Sequence, residues 1–171
     1  MNDLKIIKLP PERWEEYKNL RLEALKDSPA SFSKSYELIA QKPDEYWKDA
    51  IKKYEGVEGV IFFAQANGKL IGMIGIDYKS DPKIKHSVTI AGFYVTPEFR
   101  NKGVGKKLFI EAIENIKTLE GVIKIDLDVN TDNTTAINMY KSFGFEITGT
   151  YNKELFIDGK YYDLYEMEKF L

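Results

Sequence analysis

The sequence predicts an α/β (α+β) domain in which helices flank a mixed β-sheet. Segments with apolar residues at helical spacing alternate with short apolar runs bounded by turn residues. Asn67-Gly68 joins two of those runs and is typical of a tight β-hairpin. The chain has 171 residues, of which 43% are apolar, so we expect one domain, residues 1–171, with a sizeable core.

The first third of the chain is predicted to be mostly helical. Residues 4–9 resemble a short strand, which Pro10 and Pro11 end. An apolar stripe then predicts a helix over residues 14–25. Residues 28–41 are interpreted as a loop leading into a short helix, and residues 43–54 as a further helix.

The remaining two thirds alternate between strands and helices. The predicted strands are residues 57–66, 70–78, 87–95, 122–129, 145–156 and 161–167. Helices are predicted over residues 104–119 and 133–143, and Gly144 ends the second of them. Strand 122–129 alternates apolar and charged residues, which indicates one buried and one open face.

Composition excludes several classes of function. The chain has no cysteine, which excludes disulfides, thiolate metal sites and a cysteine nucleophile. It has a single histidine, His86, so a multi-histidine metal centre is excluded and we expect no metal. The net charge of −2 does not suggest nucleic-acid binding, and no apolar run reaches the ~18 residues of a membrane span. We expect a soluble, cytoplasmic protein.

The segment from Arg100 to Gly105 has the features of a phosphate-binding turn. It follows a predicted strand and opens a predicted helix, whose first N–H groups lack partners within the helix and attract anions. Glycines there let backbone approach a phosphate. The cationic side chains Arg100, Lys102, Lys106 and Lys107 surround the same point. The P-loop spacing is absent, and Leu108 stands where a dinucleotide-binding fingerprint needs glycine, so an adenine-nucleotide protein is disfavoured.

Two motifs, in this order and separation, resemble the GNAT superfamily of acetyl-CoA-dependent N-acetyltransferases. The first reads Phe93-Tyr94-Val95-x-Pro97-x-x-Arg100-x-x-Gly103-x-Gly105. The second reads Asn133-x-x-Ala136-x-x-x-Tyr140-x-x-x-Gly144-Phe145. The resemblance implies a mostly antiparallel central sheet whose fourth and fifth strands splay apart, with acetyl-CoA as co-substrate.

The resemblance also implies how acetyl-CoA is held. Backbone groups of Phe93 and Val95 would pair with the pantetheine arm, and an N–H near Tyr94 or Val95 would polarise the thioester carbonyl. A bulge at Gly92 would let the strand leave its neighbour. The pyrophosphate would lie on the backbone amides of Asn101, Lys102, Gly103, Val104, Gly105 and Lys106.

Tyr140 and Asn133 take their expected roles from the second motif. Tyr140 matches the general acid for the CoA thiolate. An unperturbed phenol near pKa 10 protonates a thiolate near 8.5 only at a cost of roughly 2 kcal/mol. We therefore expect Tyr140 to donate a hydrogen bond that strengthens as the sulfur gains charge. Asn133 could contact the cofactor, cap its helix, or do both.

The general base is not identified by either motif. An ammonium acceptor must lose a proton before it attacks, but residues 88–95 contain no acid. Asp77, Glu37, Asp126 and Asp128 are candidates, and a base acting through water is the preferred hypothesis. His86 could titrate usefully, but we expect it to be exposed.

The predicted function is transfer of acetyl from acetyl-CoA to a primary amine of a small molecule or a protein N-terminus. The alternative is a non-catalytic acyl-CoA-binding module that regulates a partner. The resemblance implies an acceptor pocket built from the first helices and the last hairpin, here residues 31–36 and 160–163. The tyrosine-rich hairpin also favours a homodimer.

Overall fold

The computed structural model describes residues 3–56 and 58–171, and its core is a seven-stranded sheet. The strands are β1 Lys5–Ile7, β2 Gly59–Ala66, β3 Lys69–Tyr78, β4 Ser87–Val95, β5 Lys124–Asn130, β6 Glu146–Ile157 and β7 Lys160–Phe170. The helices are α1 Trp14–Asp27, α2 Tyr36–Ala40, α3 Asp44–Lys53, α4 Val104–Lys117 and α5 Thr134–Ser142. Short 3₁₀ turns cover Pro11–Arg13, Pro29–Ser31 and Pro97–Phe99.

The strand order is β1-β2-β3-β4-β5-β7-β6, and only the β4–β5 pairing is parallel. The predicted mixed, mostly antiparallel sheet flanked by helices is therefore confirmed. The strand predicted from residue 57 begins at Gly59, and Val57 lies outside the described residues. Asn67 and Gly68 both have positive φ, as the predicted hairpin turn requires.

β4 and β5 are paired over only three positions, which end at Thr89 and Asp126. In the described part of the chain, no further pair joins the two strands. Asp126 accepts hydrogen bonds from the Thr89 hydroxyl and, at 2.6 Å, from the Lys79 ammonium. These contacts lie where the β4–β5 pairing stops and close that end of the gap. The predicted splaying of the fourth and fifth strands is present.

A bulge in β4 lies opposite β3 near the start of this gap. The register shifts between the pairs Gly75–Ala91 and Met73–Tyr94, so two β4 residues face a single β3 residue. One of those two, Gly92, has a φ of 64°, which glycine adopts at little cost. The bulge lies at the position predicted from the sequence, just beyond the last β4–β5 pair at Thr89.

The two faces of the sheet carry separate hydrophobic clusters. α4 and α5 pack on one face, which includes the buried side of β5 and the ring of Tyr140. α1 and α3 pack on the other face, which includes Tyr94. Because β5 side chains alternate, Asp126 and Asp128 project to the face opposite Leu127, the face that carries α1. None of the described helices is long and apolar enough to span a membrane.

Candidate active site

A cavity of about 730 Å³ opens where β4 and β5 separate. Its walls come from both strands, the N-terminus of α4, one side of α5 and the segment between α1 and α2. The cavity thus connects both faces of the sheet through the gap, and a long ligand can lie in it with its two ends in different surroundings.

The N-terminus of α4 is built to receive an anion at one end of this cavity. Gly103 caps the helix with a φ of 79°, in the left-handed region that favours glycine. The first intrahelical backbone bond runs from the Lys107 N–H to the Gly103 carbonyl, so the preceding N–H groups have no helical acceptor. The first turn contains no acidic residue, and Lys106 lines the cavity beside it.

Gly105 brings α4 close to β4. A Cβ at this position would lie 3.1 Å from the tip of the Phe93 ring and 3.7 Å from a methyl group of Val95. Any larger residue would crowd the Phe93 ring, so glycine at position 105 favours close packing of α4 on β4 as well as the approach of a phosphate. This contact holds the open N–H groups of the helix beside the strand that leads into the gap.

Most of the predicted cofactor residues line the cavity. They are Phe93, Tyr94, Val95, Arg100, Asn101, Gly103, Gly105, Lys106, Asn133 and Tyr140. Lys102 and Val104 do not line it. The Lys102 ammonium lies over the Phe99 ring, and the Val104 side chain is buried in the core, which leaves Val104 only its backbone N–H to offer.

The Arg100 guanidinium is engaged by protein groups. It forms an ion pair with Asp27 at the end of α1 and donates a hydrogen bond of 3.0 Å to the Val95 carbonyl. It also lies 5.6 Å from the centre of the Tyr94 ring. Its observed contacts join α1 to the turn before α4, whereas the sequence predicted a cation around the phosphate.

Tyr140 is buried in an aromatic cluster on the α4–α5 face. Its ring lies 5.3 Å from that of Phe109 and 6.4 Å from that of Phe93, measured between centres. No hydrogen bond of its hydroxyl is found among the described residues, and the side chain lines the cavity. Burial raises the pKa of Tyr140 above its ordinary value, so the phenol stays protonated and is suited to donate a hydrogen bond.

Asn133 caps α5. Its side-chain oxygen accepts a hydrogen bond of 3.1 Å from the Ala136 N–H, and the residue also lines the cavity. The predicted capping role is present, and the side-chain nitrogen is left for a ligand.

The proposed bases have different surroundings, and only Asp128 lines the cavity. Asp77 accepts a 2.6 Å hydrogen bond from the Tyr54 hydroxyl, and Asp126 is paired with Lys79. Glu37 and His86 are exposed and do not line the cavity, in agreement with the expectation for the histidine.

Asp128 occupies an unusual electrostatic position. Although the Asp128 side chain is exposed to solvent, partial desolvation by its surroundings raises the pKa of its carboxyl, and the negative charges of Glu166, Asp126 and Glu154 raise it further. A carboxylate with a raised pKa is a stronger proton acceptor than an ordinary one. Asp128 is therefore a candidate proton acceptor at the cavity wall.

At the α1 side, the cavity is lined by some of the residues predicted to form the acceptor pocket. Ser31, Phe32 and Ser33 line it, as expected. Residues 160–163 do not, but Leu155 and Leu164 of the same hairpin do. Arg21 lines the cavity as well, and a lone arginine on a helix carries no sequence signal for that role.

Comparison with known proteins identifies relatives over most of the chain. Residues 14–145 match the acetyltransferase (GNAT) family. An L-amino acid N-acetyltransferase of Escherichia coli is 33% identical over 131 residues, which are 77% of this chain and 79% of that protein. A GNAT-family acetyltransferase from Streptococcus pneumoniae has the same fold, with a TM-score of 0.90 at 23% identity, covering 99% of this chain and 100% of that one. The structure of yncA from Salmonella typhimurium with its cofactor acetyl-CoA gives a TM-score of 0.82 at 17% identity, covering 98% of this chain and 94% of that one.

Replacing Asn133 tests its role as the cap of α5. Asn133→Ala removes the cap and should lower the free energy of unfolding by about 1 kcal/mol, whereas Asn133→Ser keeps a capping oxygen and should lose much less. Chemical denaturation of both variants measures the difference. An equal loss in the two variants would contradict the capping role.

Proposed function

The chain belongs to the GNAT acetyltransferase family, and we propose that it transfers the acetyl group of acetyl-CoA to a primary amine by direct attack, within one domain of residues 1–171. The amine belongs to a small molecule or a protein N-terminus. The observation that carries the proposal is the cavity between β4 and β5, which runs from the open N–H groups of α4 past Tyr140 to Asp128.

Acetyl-CoA fits this cavity in charge and shape. The amides of residues 101–106 and the Lys106 ammonium would hold the pyrophosphate. The backbone of β4 from Phe93 to Val95, which has no β5 partner among the described residues, would pair with the pantetheine arm. When bound, acetyl-CoA supplies a thioester-activated acetyl group. A β4 N–H near Tyr94 or Val95 would polarise its carbonyl.

We propose that Tyr140 donates a hydrogen bond to the sulfur of the leaving group. Burial keeps the phenol protonated, and its hydroxyl has no hydrogen bond to another described residue. In a site of low dielectric constant, this hydrogen bond becomes stronger as the sulfur gains negative charge. It therefore stabilises the transition state more than the ground state.

We propose that Asp128 accepts the proton of the attacking ammonium, directly or through one water. It is the only candidate carboxylate that lines the cavity, and its pKa is raised. The other candidates on the sheet, Asp77 and Asp126, are engaged by Tyr54 and Lys79. A proton relay through water that needs no single carboxylate is the competing possibility.

We further propose a cytoplasmic homodimer. β6 is a twelve-residue edge strand whose side chains are mostly exposed, and an edge of this kind offers backbone groups with which another chain can pair. The rings of Phe156 and Tyr161 on this hairpin are exposed and lie 4.8 Å apart between centres, which adds aromatic surface to the same edge.

A panel of amines tests the central proposal. Release of free thiol from acetyl-CoA should be accelerated by at least one primary amine among amino acids, polyamines, aminoglycosides and peptides with free N-termini. Mass spectrometry should show one added acetyl group on that amine. Tight binding of CoA without acceleration by any amine would instead favour a non-catalytic acyl-CoA-binding module.

Tyr140→Phe tests the role of the hydroxyl. The variant should lower kcat about 10- to 100-fold and leave KM for acetyl-CoA nearly unchanged, because the lost interaction is made mainly in the transition state. Tyr78→Phe is the control, since Tyr78 does not line the cavity. Equal effects of the two substitutions would exclude the proposed role.

Asp128→Asn tests the base. In the wild type, kcat/KM should rise with pH through the raised pKa of Asp128, because only the ionised carboxylate accepts a proton. In the variant, kcat/KM should no longer rise with pH in this range, and its value at neutral pH should be about 100-fold lower than in the wild type. Asp132→Asn, at an exposed acid outside the cavity, is the matched control. A variant with nearly wild-type rates and pH profile would favour the relay through water.

A further inference from the structure

Arg21 differs from the other arginines in its partners. The chain has three arginines. Arg13 pairs with Glu16 at 2.6 Å, and Arg100 pairs with Asp27. Arg21 forms no ion pair within 4.0 Å and no hydrogen bond with any described residue, although it is half-buried and lines the cavity. Five guanidinium N–H donors are therefore available at a wall of the active-site cavity.

The surroundings of Arg21 fix its position. Its guanidinium lies 4.5 Å from the centre of the buried Phe32 ring. One of its terminal nitrogens would be 3.5 Å from a Cβ on Gly92, the residue of the β4 bulge. The positive charge is thus held next to the point where β4 turns away from β5.

The segment that carries Phe32 is attached on both sides of the gap. Asp27, just before it, is paired with Arg100 near the end of β4. The Ala30 carbonyl accepts a hydrogen bond of 3.3 Å from the Asn130 side chain at the end of β5. Residues 28–33 therefore cross the cavity as a strap, and the strap holds the ring on which Arg21 is stacked.

Arg21 and Asp128 lie on the same face of the sheet. Arg21 projects from α1 beside β4, and Asp128 projects from β5 to the α1 side. Tyr140 and α4 belong to the opposite face. The acceptor end of the cavity thus presents a cation on one wall and a carboxylate on the other, the arrangement that complements a zwitterion.

We propose that Arg21 binds the carboxylate of the acceptor, so that the amine acetylated by this protein belongs to an amino acid. This inference rests on the proposed acetyl transfer and specifies its substrate class. The guanidinium fork holds the acceptor carboxylate through charge-assisted hydrogen bonds, and the amine is thereby directed towards the gap and Asp128. Arg21 then determines specificity and takes no proton.

Matched acceptors that differ only in the carboxylate test the proposal. Thiol release is measured with a set of amino acids and with the corresponding amino acid amides, which keep the amine and lose the negative charge. The wild type should prefer the acid of at least one pair by about 10- to 100-fold in kcat/KM, the factor expected for charge-assisted hydrogen bonds. Arg21→Gln should lower that ratio about 10- to 100-fold relative to the wild type, because the comparison cancels the different basicities of the two amines, and should leave KM for acetyl-CoA within about twofold.

Two further variants serve as controls. Arg21→Lys keeps the charge without the fork and should retain part of the preference for the acid. Arg13→Gln removes an arginine outside the cavity and should leave the preference unchanged. Thermal unfolding of each variant shows whether it is folded.

The outcomes separate this inference from the function on which it rests. Acetylation of amides or polyamines at least as efficiently as of amino acids would overturn the role of Arg21 and leave acetyl transfer standing. A parallel loss for acids and amides in Arg21→Gln would also overturn it, because a structural defect has that effect. Failure of every amine to accelerate thiol release would reject the proposed function and the inference together.

Discussion

The separation of β4 from β5 is the constraint on which the rest of the site depends. Parallel strands normally continue their hydrogen bonds along their length, but here pairing ends after three positions. The Lys79–Asp126 pair closes the gap where the β4–β5 pairing stops, and the bulge at Gly92 follows shortly after this point in β4. Unpaired backbone inside a protein requires a partner, and a ligand that lies along the strand can provide one.

The gap also organises the chemistry by face. The α4–α5 face contributes the helix N-terminus and the Tyr140 phenol, which suit a phosphorylated donor and a departing thiolate. The α1 face contributes Arg21 and Asp128, which suit a charged acceptor. In the proposed reaction, donor and acceptor would therefore approach from opposite sides of one sheet and react where the sheet is interrupted.

Contacts across the gap connect these two halves. Arg100 belongs to the segment that precedes α4, but its guanidinium is paired with Asp27 of α1. Asn130 at the end of β5 holds the Ala30 carbonyl of the strap. The segment that forms the acceptor wall is thus attached to both strands that bound the cofactor channel, so its position follows from theirs.

Patterns among neighbouring residues were sufficient to predict most of the helices, strands and turns. The helix periods, the Asn67-Gly68 turn and the glycines at positions 92, 103 and 105 act through neighbours in the chain, so the sequence was sufficient to locate them. The cap formed by Asn133 is also a local feature, because its side-chain oxygen accepts a hydrogen bond from the N–H of Ala136, only three residues later. These features predict the local elements, whereas the splayed sheet and the cofactor residues were predicted from the two motifs that resemble the GNAT superfamily.

The acceptor end was decided by tertiary structure. Asp77, Asp126 and Asp128 all lie on predicted strands, but only the folded chain shows that the first two are bonded to Tyr54 and Lys79 and that Asp128 alone lines the cavity. Arg21 and Phe32 meet because α1 and the strap pack over the gap. The sequence by itself thus determined the local elements through short-range patterns, and the fold through two motifs that resemble the GNAT superfamily. Which charges are neutralised and which remain open to a substrate depends on contacts between distant residues, and only the folded chain establishes these.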